Sequence, residues 1–175
     1  MKIRYFLLFS IVLASLFPTG CARTSEQAYF SYADESFHAE ICGTLDGIEF
    51  SAEIGRDASD SSDFPFSGSW IRYTKPQSAA DLTLRYDSNN CPTATLGSVN
   101  GTYDESILQG LLRPLHLLLE GGEPMSIRKD RGTTILIMPG YTLLLSENGI
   151  PMSVESDSVS LKTVWWETVP AVKAP

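Results

Sequence analysis

The chain is poor in the residues that most catalytic centres need, with 2 histidines and 3 cysteines among 175 residues. It has no Gly-x-Ser-x-Gly elbow, no His-Glu-x-x-His pair and no glycine-rich loop of the kind that cradles phosphate. Neither histidine has a context that would make it the base for a serine or cysteine nucleophile. His38 falls on the polar face of a strand with Glu40 and Glu53, and His116 on the polar side of a helix, one turn before Glu120. A solvated surface position fits both. Asp57, Asp60 and Asp63 lack the alternate spacing, central glycine and closing glutamate of a calcium loop, and read as an acidic surface loop. The expectation is a non-catalytic protein with no cofactor and no metal.

Basic residues are also scarce: 13 Lys and Arg stand against 21 Asp and Glu, a formal net charge of −8. That balance excludes binding driven by nucleic-acid phosphates and adhesion to anionic lipid headgroups. Only one long apolar run occurs, from Tyr5 to Phe17, short of the roughly 20 residues a spanning helix needs. It follows Lys2 and Arg4 and precedes Pro18-Thr19-Gly20-Cys21, the layout of a secretory signal. The small residue before Cys21 resembles the lipobox of bacterial lipoproteins, whose cysteine is acylated and becomes the new N-terminus. Pro18 stands where that box usually has leucine.

The expected organisation is therefore a lipoprotein signal peptide over residues 1–20 and an acyl (palmitate-type) anchor on Cys21. Such a chain is held at the cell membrane, facing the extracytoplasmic side. Cleavage after Ala22 and an uncleaved anchor remain alternatives. Loss of Lys2 and Arg4 leaves 11 basic against 21 acidic residues, which makes the acyl group, rather than a basic patch, the tether. Cys42 and Cys91 remain. In an oxidising compartment they could close a loop of about 50 residues, worth roughly 4 kcal/mol on the loop-entropy estimate; two unpaired thiols are the alternative.

Residues 21–36 are polar and unpatterned, a lipidated tether in this reading. From Phe37 apolar residues alternate, with Gly, Asn or Asp every eight to twelve residues. The clearest unit is FHAEICGTL-DG-IEFSAEI. An Asp46-Gly47 turn pairs Leu45 with Ile48, Gly43 with Phe50, Ile41 with Ala52 and Ala39 with Ile54, all apolar or glycine. Strands follow around 67–74 and 81–87, then TATLGSV ended by Asn100-Gly101. One segment breaks the two-residue rhythm. Ile107, Leu108, Leu111, Leu112, Leu115, Leu118 and Leu119 recur at helical spacing, predicting a helix over 103–120. Thr102 and Glu105 supply its capping box, Gly121-Gly122 its stop, and Pro114 a kink or a break near Arg113. Five more strands bring the count to about ten, with a C-terminal tail over 168–175. The fold class is mainly β with one inserted amphipathic helix (α+β), a curved antiparallel sheet or open half-barrel over 37–167.

FHAEICGTLDGIEFSAEI at the start, ILQGLLRPLHLLLEGG in the middle and LLLSENGIPMSVESDSVSLKTVWWE at the end together resemble the LolA/LppX-like family of exported lipid- and lipoprotein-binding proteins. Clostridial sporulation and germination lipoproteins look similar. The resemblance implies an open half-barrel whose concave apolar face, partly plugged by the helix, holds a lipid or part of a partner. The anchor at Cys21 departs from the soluble carriers, which puts a shuttle role in doubt. Around Ile135-Leu136-Ile137-Met138 and Leu143-Leu144-Leu145 both strand faces are apolar, so something covers each. Two readings stay open: helix and sheet curvature cover them, or a ligand fills one. The candidate groove is Leu108, Leu111, Leu112, Leu115, Ile135, Ile137, Leu143, Leu145 and Trp165. Trp70 and Trp166 are further candidates, although neighbours Trp165 and Trp166 must face opposite ways. Expected partners are the membrane through Cys21 and a hydrophobic ligand or an envelope protein. The alternative is a structural or interaction lipoprotein of the envelope, or of sporulation or germination, with a closed core.

Overall fold

The computed structural model describes residues 27–57, 66–87 and 89–169. The signal segment, Cys21, Asp60 and Asp63 lie outside the described residues.

The Asp46-Gly47 turn forms as expected, with φ of +50° and +79°, the left-handed pair that matches strand twist in a two-residue hairpin. It joins β1 (Phe37–Leu45) to β2 (Ile48–Arg56) in the expected register. The chain then runs through β3 (Ser69–Lys75), a 3₁₀ turn (Gln77–Ala79), β4 (Thr83–Tyr86), β5 (Pro92–Leu96) and β6 (Val99–Thr102). Helix α1 (Glu105–Leu119) follows. A meander of β7 (Ser126–Asp130), β8 (Thr133–Met138), β9 (Tyr141–Leu145), β10 (Pro151–Ser156) and β11 (Val159–Thr168) completes the chain. All eleven strands form one antiparallel sheet, ordered β6-β5-β4-β3-β2-β1-β11-β10-β9-β8-β7. The order is a meander cut open between β6 and β7, and α1 crosses the hollow from one free edge to the other. The inward side chains Ala39, Ile41, Ala52, Ile54, Ile71, Leu84, Leu136, Leu143, Val154 and Leu161 are fully buried beneath Leu112, Leu115 and Leu118 of the helix.

Several expectations are corrected. TATLGSV is not one strand; Gly97, at φ +59°, turns it into the β5–β6 hairpin, and Asn100-Gly101 lies within β6. The helix is capped by Asp104, which accepts from the Ser106 amide at 2.9 Å, while Thr102 ends β6. Pro114 sits within one continuous 15-residue helix. Cys42 and Cys91 are free thiols. Cys42 lies in β1 and Cys91 just before β5, four strand spacings of about 4.8 Å away, far beyond the roughly 7 Å a disulfide tolerates. The domain also begins earlier than Phe37 and ends later than residue 167. Gln27–Asp34 is a 3₁₀ segment that buries Phe30, Tyr32 and Ala33, and Val169 still bonds back to the Ser36 carbonyl.

That segment has a specific task. The last carbonyls of a helix have no helical donor, and the Tyr32 hydroxyl donates to one of them, Leu118, at 2.6 Å. Tyr32 also meets Trp166 edge-on, and Trp166 stacks on Phe37. Arg56 donates to the Ala33 carbonyl from the sheet side. With this cover, Leu117, Leu118 and Leu119 are all buried, so the C-terminal half of α1 is enclosed nearly all round. Burial, with the charge of Tyr141 second, pushes the Tyr32 hydroxyl far above its usual pKa, and burial also raises Tyr73. These neutral hydroxyls stabilise the fold below pH about 10, the unfolded value, and the contribution is lost as pH climbs beyond it. Denaturant midpoints should fall above pH 10. Tyr32→Phe should cost about 1–2 kcal/mol at neutral pH by leaving the Leu118 carbonyl bare, and should flatten that alkaline decline.

Candidate functional site

The candidate groove residues do not form one surface. Leu108, Leu112, Leu115, Leu143 and Leu145 are packed together as closed core between helix and sheet. Ile135 and Ile137 belong to the opposite face of β8 and are half-buried by neighbours on that face. Ile135 lies between Leu144 and Arg128, and Ile137 between Thr142 and Ser126. Trp165 is also outward, 38% exposed, with its ring N–H donating to Glu40 at 3.0 Å. His38 sits between Trp165 and Trp70, at 4.9 and 5.3 Å between ring centroids, and 3.5 Å from Glu53. His116, by contrast, is not a solvated residue: its Nε2 lies 2.6 Å from the Tyr86 hydroxyl and its ring stacks on Phe66.

One member of the list, Leu111, does line an opening. The cleft holds about 280 Å³, close to the lower end of ligand pockets, which run from about 300 to 1,000 Å³. The tip of the β1–β2 hairpin forms one wall with Leu45, Asp46, Ile48 and Phe50; Tyr73, Pro76 and Ala79 form the second, and Gly110 and Leu111 the third. Each wall follows from local sequence. Toward the hairpin tip the inward row leaves the closed core: Leu45 packs half-buried against its edge, and Ile48 is left 61% exposed. Tyr73 fixes the helix wall, donating its hydroxyl to the Leu111 carbonyl at 2.6 Å.

Gly110 stands apart from the other helix residues. Its φ is not in the left-handed region, and a Cβ built on it would meet nothing within 4 Å. Neither conformation nor packing requires glycine here. Pro114, four residues on, has no N–H to give to the Gly110 carbonyl. The Gly110 carbonyl, in a residue of the cleft wall, therefore lacks the i+4 donor of a regular helix turn. Among the described residues no group of three metal-ligating side chains occurs.

No family model and no curated protein matches the sequence significantly. Solved structures match it in shape. An uncharacterised conserved protein from Thermus thermophilus superposes with a TM-score of 0.53 at 9% identity, over 85% of this chain and 88% of that one. MucB superposes with a TM-score of 0.50 at 12% identity, over 86% of this chain and 61% of MucB, so the chain spans less than two thirds of that protein. A LolA superfamily protein from Nitrosomonas europaea is matched more loosely, at 0.44 and 9% identity, over 84% and 94%. At these identities the likeness is one of fold. The chain shares the fold of the Thermus protein and of MucB, an open antiparallel sheet wrapped round what is, among the described residues, a single α-helix.

Proposed function

We propose that this protein is a lipid-anchored extracytoplasmic binding protein, not an enzyme, whose cleft at Gly110 takes a hydrophobic ligand or the apolar part of a protein partner. The observation that carries the reading is the glycine itself. In a helix interior glycine is about 1 kcal/mol less favourable than alanine, and here that loss keeps open space above an apolar wall. The alternative is a structural or interaction lipoprotein of the cell envelope, or of sporulation or germination, with no ligand. The closed packing of Leu112, Leu115, Leu143 and Leu145 favours it over a ligand lying under the helix.

The proposed anchor on Cys21 would hold the domain near the membrane. Six residue steps separate Cys21 from Gln27, a reach of at most about 21 Å. The described N-terminal segment meets the sheet at the Phe37 end of β1, and the cleft lies beyond Leu45, eight steps or roughly 26 Å along the strand. An occupant would thus arrive from the side away from the anchoring bilayer, which supports a protein partner over a lipid of that bilayer. Titrating the chain from residue 21 onward, with Cys21→Ser to keep it unacylated, with N-phenylnaphthylamine tests the cleft. Saturable one-to-one fluorescence enhancement is expected; a purely linear response would leave the closed-core reading.

A further inference from the structure

We propose that the occupant of the cleft is a segment of a protein partner that presents a large apolar side chain next to a basic one. This rests on the reading that the cleft is a binding site and names what enters it. The walls are apolar, through Leu45, Ile48, Phe50 and Leu111, and their polar features are acceptors. Asp46 contributes a carboxylate at the hairpin tip, and Gly110 contributes the carbonyl that Pro114 leaves without its helical donor. The donor in the walls, the Tyr73 hydroxyl, is already committed to the Leu111 carbonyl.

Two basic residues adjoin lining residues in sequence, and both are turned away: Arg72, beside Tyr73, pairs with Glu53 on the outer face. Lys75 would continue the inward row of Ile71 and Tyr73, but the register shift between Ser51 and Ala52 sets it opposite Ser51. A bulge of this kind re-aims the side chains beyond it. Ser51 lies on the outer face with Cys42, its partner in β1. Lys75 therefore faces outward, and the cleft lining holds no cation. A carboxylate- or phosphate-headed lipid would bring its charge beside Asp46, with no cation in the lining to meet it. A peptide suits the same groups: an apolar side chain fills the space, a backbone N–H two or three bonds away can satisfy Gly110, and a neighbouring lysine can meet Asp46. The small volume fits one or two side chains, and the cleft's place at the far end of β1 suits an approach from solution.

The test is an amide-detected NMR titration of the chain from residue 21 onward carrying Cys21→Ser. The probes are the capped peptide acetyl-Gly-Phe-Leu-Lys-Gly-amide, its counterpart with glutamate in place of lysine, and phosphatidylglycerol vesicles. The lysine peptide should shift the amides of Leu45, Ile48, Tyr73 and Gly110 and bind at least about 10-fold more tightly than the glutamate peptide. Asp46→Asn, which suits the positive φ at that position, should shrink the difference to about 3-fold or less. Equal or tighter binding of the glutamate peptide overturns the proposal and leaves the cleft reading standing. Shifts at these amides with vesicles and with neither peptide would assign the cleft to a lipid and overturn it too. If no probe moves these amides, the cleft reading itself fails.

Discussion

Replacing Leu115 by alanine is expected to lower the unfolding free energy by about 2–5 kcal/mol. Leu115 is fully buried in the C-terminal half of α1. The sheet cannot close over the lost volume, because its two edges are held apart by the helix that joins them. A cavity should therefore persist, and the cost should fall in the upper part of that range. Urea denaturation reads the effect as a lower midpoint at unchanged slope. The same substitution at Leu111, which is only half-buried beside the cleft, should cost less than half as much. If the two were equal, the helix would not be seated as described.

Gly43→Ala should be comparably damaging for a different reason. Gly43 lies in β1 against β11, and a Cβ there would come within 1.9 Å of the Ser160 carbonyl oxygen and 2.7 Å of the Leu161 Cα. Both are backbone atoms, so the seam between the two halves of the sheet must open to admit one methyl. Overpacking usually costs about 1–3 kcal/mol, and at a backbone contact this close about 3 kcal/mol or more is expected. Gly55 supplies the control. A Cβ there meets the Trp70 ring at 2.6 Å, a side chain that can swing outward. Gly55→Ala should cost only about 1 kcal/mol and redshift the tryptophan emission, whereas Gly43→Ala should fold poorly.

Much of the sheet was legible because side chains in a strand alternate, and a type I′ turn such as Asp46-Gly47 sets the register at once. The structure joins β7 to β8 by a similar left-handed pair, Arg131-Gly132, with φ of +45° and +84°. The helix was legible from its leucines. What periodicity does not show is depth: a leucine over a groove and a leucine in a core give the same pattern, so Leu112 and Leu143 entered the candidate groove although both are sealed. The tyrosines that seat the helix, Tyr32, Tyr73 and Tyr86, were also invisible as anchors, because each reaches a group at least 30 residues away in sequence. Tyr29, Phe30 and Tyr32 are the signal in the 3₁₀ segment that a plain tether would lack, since aromatics contribute large buried areas. Gly110 carried a readable signal. It is a glycine in the middle of a leucine-rich helix, four residues before a proline, and neither helix propensity nor the stop signals account for it.

Gly110→Leu tests most directly whether Gly110 keeps a binding cleft open at the expense of helix stability. Leucine has nearly alanine's helix propensity and its first carbon would enter open space. The variant should gain about 0.5–1 kcal/mol in urea denaturation, while its affinity for N-phenylnaphthylamine should fall at least about 10-fold. A variant that binds the fluorophore as tightly as the parent would contradict the account.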